Sequence, residues 1–215
     1  MRRMRFQKTG KAVWMSHLDT MRLMQRAFRR AGVLLHHSQG YTPHAYVSLP
    51  IPLSVGMESL CEILEYELDA ELTITPEQIN KVLPEGILVT DVYESDVKTK
   101  HLCLMDAELL LFYDQGIPEG CVEMIEALLS REELLIEKRT KRGPEEADIR
   151  PLLKSYRLER SGEQLRIFCT VCAQNPSLNP MLLIQAIERY AASCKPDHCR
   201  CRRLEIYDEN GKVFR

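Results

Sequence analysis

The order of strand and helix signals in the first 98 residues constrains the fold more than any other feature of this chain. Short stretches rich in apolar residues alternate with two helical patterns, and glycine or proline separates most of them. Strands are predicted over residues 4–9, 45–49, 60–68 and 87–93, and helices over residues 17–31 and 76–82. The resulting order, β-α-β-β-α-β, is typical of a ferredoxin-like unit with an antiparallel sheet.

The second half of the chain shows a similar alternation. Strands are predicted over residues 108–113, 134–138 and 203–207, with a hairpin that joins 156–159 to 164–172. Helices are predicted over residues 119–130 and 180–192, a short helical turn over 148–151, and a basic loop over 138–142. We therefore predict an α+β protein with antiparallel sheets, built from two ferredoxin-like domains that cover residues 1–98 and 99–215.

Charge is distributed unevenly along a chain whose net charge is only −2. Residues 1–44 carry nine Lys or Arg and one acid, residues 45–137 carry four and twenty, and residues 138–215 carry sixteen and ten. The average therefore does not exclude a polyanionic partner for one face. Five acids that alternate around the strand predicted over 60–68 are expected to form a solvated face; they are Glu58, Glu62, Glu65, Glu67 and Asp69.

The first predicted helix carries its arginines on one side. Ser16 is its predicted N-cap, Asp19 stands in capping-box position, and Gly32 ends the helix. Four residues fall within an arc of about 100°; they are Arg22, Arg26, Arg29 and Arg30. With Lys11, they are candidates for binding phosphate or nucleic acid, because planar guanidinium groups suit phosphate oxygens. The alternative is a solvated helix face, paired with the acidic middle segment.

A short polar loop follows this helix. Its candidate recognition residues are Ser38, Gln39, Gly40, Tyr41, Pro43 and His44. Gly40 permits an unusual backbone angle, Pro43 stiffens the exit, and Tyr41 offers a ring for stacking on a base. Three roles remain open: a loop held by its own hydrogen bonds, a binding surface, or a catalytic site. In the catalytic interpretation, His17 or His44 is the general acid or base of an RNA reaction.

Eight cysteines raise the question of a metal site. Cys169 and Cys172 have the C-x-x-C spacing, but residues three apart on a predicted strand point to opposite faces of the sheet. Four further potential zinc ligands cluster near the C-terminus; they are Cys194, His198, Cys199 and Cys201. We interpret the cysteines as structural and keep this second group as the alternative, a zinc site.

Several classes of function lack their motifs. Phosphate-binding loop, dinucleotide-binding and nucleophile-elbow patterns are absent, as is a C-x-x-x-C-x-x-C cluster for radical S-adenosylmethionine (SAM) chemistry in this chain. No apolar segment follows the basic start, and prolines and histidines interrupt the uncharged segment 32–57. A cytoplasmic protein with reduced thiols and no membrane partner is expected.

Five short segments resemble one family. They are SHLD from Ser16, RAFRRAG from Arg26, SQGYTPH from Ser38, PLSVGMES from Pro52 and DIRP from Asp148. Together they resemble the radical SAM-associated uncharacterised domain family, whose members occur alone or fused to radical SAM proteins with a cobalamin-binding part. The resemblance implies a radical SAM protein as partner. It also implies that this partner carries S-adenosylmethionine, an iron–sulfur cluster and cobalamin, and no cofactor is expected in this chain.

These observations lead to one functional hypothesis and two alternatives. The hypothesis is a non-catalytic RNA-binding or substrate-presenting module that serves a separate radical SAM enzyme in RNA modification or processing. The first alternative is a metal-independent RNA-processing or RNA-modifying enzyme with a histidine acid or base. The second is a protein–protein adaptor that docks the radical SAM partner.

Overall fold

The computed structural model describes residues 1–41, 43–69, 72–140 and 143–215. The chain divides into two compact units, of which unit 1 comprises residues 1–101 with 213–215 and unit 2 comprises residues 102–212. Both mix helices with antiparallel strands, which confirms the predicted α+β class. Within the described residues, no helix is both long enough and apolar enough to cross a membrane.

Unit 1 contains its elements in the predicted order, β-α-β-β-α-β. Its strands are β1 (Arg2–Lys8), β2 (Val47–Ser48), β3 (Glu58–Tyr66) and β4 (Ile87–Glu94). Its helices are α1 (His17–Arg30) and α2 (Pro76–Asn80), and short 3-10 helices span Gly10–Trp14 and Thr99–His101.

The sheet of unit 1 is organised around β1. This strand pairs with β3 on one side and β4 on the other, and β2 pairs with the end of β3, all antiparallel. The neighbour order is therefore β4-β1-β3-β2, with Met4 opposite Leu64 and Val92. β2 covers two of the five residues predicted for it, and Pro50 soon after its end cannot donate a ladder hydrogen bond.

One side of α1 supplies much of the unit 1 core. Met24 and Phe28 are fully buried, and the Phe28 ring lies 4.8 Å from the ring of Tyr66 in β3. Met4 and Phe6, alternate residues of β1, are buried in the same cluster. The apolar side of the helix and one face of the sheet thus form a single core.

Local hydrogen bonds set the ends of α1. The Ser16 hydroxyl accepts from the Asp19 N–H at 3.2 Å and donates to the Asp19 carboxylate at 2.7 Å. Ser16 is therefore the N-cap, as predicted. In a capping box the Asp19 carboxylate would accept from the Ser16 backbone N–H, whereas here it accepts from the Ser16 hydroxyl. At the other end Gly32 has φ +75°, and the Val33 N–H donates to the Phe28 carbonyl at 3.0 Å, as in a Schellman motif.

The expectation of a solvated acidic face on β3 is wrong for two of its members. Glu62 and Glu65 are only 4% and 8% exposed. One oxygen of Glu65 accepts two hydrogen bonds from the buried guanidinium of Arg3, at 2.7 and 3.0 Å. Arg3 also donates to the Ser95 hydroxyl and the Arg215 carbonyl, both at 2.9 Å. Because the charges are paired and hydrogen-bonded, this carboxylate can be buried.

Unit 2 combines a four-stranded sheet with a separate hairpin. Its strands are β5 (Leu102–Phe112), β6 (Leu135–Thr140), β7 (Gly143–Asp148), β8 (Leu153–Ser161), β9 (Gln164–Cys172) and β10 (His198–Asp208). Its helices are α3 (Cys121–Leu129) and α4 (Leu182–Tyr190), and 3-10 helices span Arg150–Leu152 and Ala192–Cys194. The neighbour order in the sheet is β10-β5-β9-β8, all antiparallel, and β6 pairs with β7.

The hairpin of β6 and β7 is the main departure from the prediction for unit 2. No strand was predicted over Gly143–Asp148, because Gly143 and Pro144 are typical of turns. Proline is nevertheless tolerated at the start of a strand. Of the predicted basic loop, residues 138–140 end β6, and Lys141 and Arg142 lie outside the described residues.

Removal of one partner of the buried Arg3–Glu65 pair should destabilise unit 1. Replacing Glu65→Gln leaves the Arg3 guanidinium buried without its counter-charge, and we expect the free energy of unfolding to fall by about 2–4 kcal/mol. Glu94→Gln is the matched control, because the exposed Glu94 of β4 pairs with Arg2 of β1, the neighbour of Arg3, at 3.3 Å; its effect should stay within about 1 kcal/mol. Urea unfolding of both variants measures the difference, and equal effects would contradict it.

Gly86 should be far less replaceable than Gly32, although both have positive φ, +90° and +75°. A methyl group at Gly86 would lie 2.4 Å from the Thr9 carbonyl oxygen and 2.9 Å from Cβ of Ala12, whereas one at Gly32 meets nothing within 4 Å. Gly32→Ala should lower stability by about 1 kcal/mol through backbone strain alone. Gly86→Ala should lower it by at least about 2 kcal/mol more. Urea unfolding compares the two, and similar losses would refute the steric argument.

Candidate nucleic-acid interface

The four arginines predicted on one side of α1 lie on its solvent side. Arg22, Arg26, Arg29 and Arg30 are all exposed. Arg22 forms a 3.5 Å ion pair with Asp19, one turn earlier on the helix. Among the residues that the structure describes, no salt bridge engages the other three arginines.

The acidic middle segment does not neutralise this face in the described part of the chain. Glu65 is held by Arg3, as above, and the Asp69 carboxylate lies 2.8 Å from Nδ1 of His36. Arg29 and Arg30 stand in the last turn of α1, where the helix dipole favours positive charge. The dipole gives a structural reason for these two residues but not for Arg26, which lies a turn earlier.

The polar loop is closed at its base by backbone pairing. His37 bridges to Ala45, the Ser38 N–H donates to the His44 carbonyl at 2.9 Å, and the Ser38 hydroxyl accepts from the His44 N–H at 3.0 Å. Ser38 therefore holds the loop together. Tyr41, in the loop that this pairing closes, is fully exposed. The other candidate recognition residues of the loop are exposed as well; they are Gln39, Gly40, Pro43 and His44.

A cleft of about 250 Å³ separates the end of α1 from this loop. Its apolar lining includes Val33 and Leu35, and its polar lining is Gln25, Arg29, His37 and His44. The Gln25 side-chain amide donates to the Ala45 carbonyl at 3.4 Å and so connects the helix to the loop. The structure thus brings two of the predicted groups together, since Arg29 of the helix and His44 of the loop line one cleft.

The two catalytic candidates are not brought together. His44 lines the cleft, whereas His17 is the first residue of α1, roughly 18 Å from Arg29 along the helix axis. The cleft's second histidine, His37, donates from Nδ1 to the Leu35 carbonyl at 2.8 Å. Of the two candidates, His44 alone lies at the cleft beside the polar loop.

Lys11 and Trp14 lie on the 3-10 helix that precedes α1. Lys11, a predicted phosphate ligand, is exposed. Trp14 was not among the residues that the sequence singled out, yet it is 73% exposed. One feature of the sequence could have indicated that Trp14 is exposed. It stands two residues before the N-cap Ser16 and so lies outside the apolar pattern of α1.

The cysteine-rich end of the chain does not form a metal-ligand group. Within the described residues, no three His, Cys, Asp or Glu side chains are placed to hold a metal ion. Cys194 and Cys201 are buried, and His198 and Cys199 begin β10. Burial raises the pKa of the Cys199 thiol to about 12. In β9, Cys169 is buried and Cys172 is only partly so, in line with their predicted opposite faces.

Two solved structures are similar to most of this chain. A chain of a Cbf5–Nop10–Gar1 complex matches with a TM-score of 0.57 and 9% identity, over 97% of this chain and 50% of that one. A chain of the archaeal box H/ACA sRNP Nop10–Cbf5 complex matches with a TM-score of 0.47 and 10% identity, over 94% of this chain and 46% of that one. This chain therefore spans about half the length of these solved chains, and the first likeness shows a related fold. No curated protein matches its sequence.

A family model covers the candidate interface and most of the rest of the chain. It is described as an uncharacterized protein conserved in bacteria, DUF2344, and it matches residues 2–180. This range includes α1, the polar loop, the cleft between them and unit 2 as far as β9. The match confirms that the motifs belong to an uncharacterised bacterial family, and it does not test the radical SAM association. The chain belongs to the DUF2344 family of proteins conserved in bacteria.

Proposed function

We propose that this chain is an accessory RNA-binding or substrate-presenting module that works with a separate radical SAM enzyme in RNA modification or processing. One observation carries the proposal. Arg26, Arg29 and Arg30 stand exposed on one helix face without a salt bridge in the described residues, beside a cleft that the polar loop completes. The stability of the helix does not require this arrangement, whereas a phosphate backbone is a ligand that the arrangement suits.

The two parts of the site have different roles in this proposal. Arginines of α1, with Lys11, bind phosphates, because each guanidinium can donate two parallel hydrogen bonds to phosphate oxygens. Such contacts hold a strand but do not read its sequence. Gln39, Tyr41 and His44 of the loop provide the groups that contact bases, since their side chains are exposed and include one ring for stacking.

The comparison with solved structures is compatible with an RNA-related role. The chain similar to this one, with a TM-score of 0.57, belongs to a complex of Cbf5, Nop10 and Gar1. The radical SAM partnership rests on the sequence motifs alone, and so do the cofactors assigned to that partner. In the enzyme alternative, with His17 or His44 as the acid or base, His44 is the better placed candidate because it lines the cleft.

We also propose that the domains 1–98 and 99–215 are both of ferredoxin-like type. The neighbour order β4-β1-β3-β2 in unit 1 corresponds to β10-β5-β9-β8 in unit 2, if the β6–β7 hairpin is an insertion. α1 and α3 are then equivalent helices after the first strand of each domain. Of these two helices α1 carries four arginines and α3 carries none, so we assign RNA binding to the first domain.

Removing the arginines should lower both the affinity for RNA and the dependence of that affinity on salt. In the triple variant Arg26→Ala, Arg29→Ala, Arg30→Ala, we expect affinity for single-stranded RNA to fall at least about tenfold at moderate salt. The slope of log K against log salt should become shallower by about 2, since each phosphate contact contributes about 0.7. Fluorescence anisotropy of a labelled oligonucleotide over a salt series measures both quantities.

A variant of equal charge change provides the control for this experiment. Lys81→Ala, Lys98→Ala, Lys100→Ala removes three exposed positive charges from other parts of unit 1. If binding depends on the α1 surface, this variant should keep most of the affinity and the salt slope. Equal losses in the two triple variants would show non-specific attraction instead, and no loss in the arginine variant would refute the proposal.

Affinity purification of the tagged full chain tests the partnership. We expect RNA and a radical SAM protein to be recovered together, identified by sequencing and mass spectrometry. Nuclease treatment should release the enzyme if RNA connects it to this chain. Recovery that survives nuclease, and survives the triple arginine substitution, would favour the protein–protein adaptor instead.

A further inference from the structure

Trp14 is an exposed ring that the fold of unit 1 does not need for its core. It is the single tryptophan of the chain, and 73% of it is exposed. Tryptophan has a large apolar surface, so this exposure forgoes the stabilisation that burial would give. Leu18 and Val55 are also more than half exposed, but neither presents a flat ring to solvent.

The backbone around Trp14 is held on both sides. The Gly56 N–H donates to the Val13 carbonyl at 2.9 Å, and Nζ of the buried Lys8 donates to the Met15 carbonyl at 2.7 Å. The ring lies beside Gly56, because a methyl group added there would be 3.6 Å from Cζ3 of Trp14. A ring on an anchored backbone loses little conformational entropy when a ligand stacks on it.

Cationic residues flank Trp14 along the chain. Lys11 is exposed and stands three residues earlier in the same 3-10 helix, where side chains three apart overlie each other. After Trp14 in the chain comes the arginine row of α1, which consists of Arg22, Arg26, Arg29 and Arg30. The acid Asp19 at the start of this helix is already paired with Arg22. An anionic partner is therefore a better match to this end of unit 1 than a basic or a purely apolar one.

We propose that Trp14 is a stacking site for an unpaired nucleobase of the strand whose phosphates lie on α1. This inference rests on the proposed RNA binding and extends it to a second contact. From Leu18 to Arg29 the helix rises roughly 16 Å, so the ring and the cleft stand at opposite ends of one arginine row. An aromatic platform combined with a positively charged track is how many proteins bind single-stranded nucleic acid without reading its sequence.

Intrinsic fluorescence tests this directly, because Trp14 is the only tryptophan emitter. The probes are an oligouridylate of about eight nucleotides and an abasic ribose-phosphate oligomer of equal length, both titrated into the full chain. We expect the oligouridylate to quench the emission of Trp14 saturably. The abasic oligomer should bind through its phosphates and leave the emission nearly unchanged.

Substitutions separate stacking from general apolar contact. Trp14→Ala should weaken binding of the oligouridylate about 5- to 150-fold, the range that loss of one stacked base gives, and leave binding of the abasic oligomer unchanged. Trp14→Phe should recover much of the affinity, whereas Trp14→Leu should not. Leu88→Ala, at an exposed position on β4, is the matched control and should have no effect. Unchanged unfolding midpoints show that the variants are folded.

The outcomes distinguish this inference from the proposed function. If the triple arginine variant weakens both oligomers but Trp14→Ala weakens neither, or weakens both equally, RNA binding stands and the stacking site is refuted. If the arginine variant weakens neither oligomer, the proposed function itself fails. A change in Trp14 emission with a purified radical SAM partner, and none with RNA, would assign the ring to a protein interface and overturn the inference.

Discussion

Burial of one side of α1 against the sheet is the constraint on which the candidate interface depends. Met24 and Phe28 have no exposed surface, and Phe28 packs on Tyr66 from β3. A helix with its apolar side held in this way has no rotational freedom about its axis, so the opposite side must face solvent. Core packing alone therefore orients the arginines towards solvent. The arginine side chains need no contacts with the rest of unit 1 to be held in this direction.

The polar loop depends on the same core in a less direct way. Leu35 is buried and bridges to Leu68, just beyond the end of β3, while His37 bridges to Ala45. These pairings extend the sheet edge to the base of the loop, and the Gln25 amide then connects the loop to α1. The cleft thus lies between two elements that are each fixed to one core, which is a reason to expect its shape to be stable without a ligand.

The parts of this structure that the sequence predicts correctly have local causes. Ser16, Gly32 and the spacing of apolar residues define α1 within one segment, so its bounds follow closely. The burial of Glu65 has no local cause, because its partner Arg3 lies 62 residues away. Trp14 was missed for a related reason: an apolar residue is assigned to the core by default, and only tertiary structure shows that nothing covers it.

The arginine row is a poor arrangement for stability alone. Two of its pairs stand four residues apart, Arg22 with Arg26 and Arg26 with Arg30. Like charges at this spacing repel by roughly 0.2–0.5 kcal/mol per pair. The helix dipole offsets part of this repulsion for Arg30 in the last turn, and Asp19 offsets part for Arg22. Arg26 has neither compensation among the described residues. An acidic residue at its position would stabilise the helix by pairing with both neighbours. The proposed phosphate ligand would relieve the repulsion that remains.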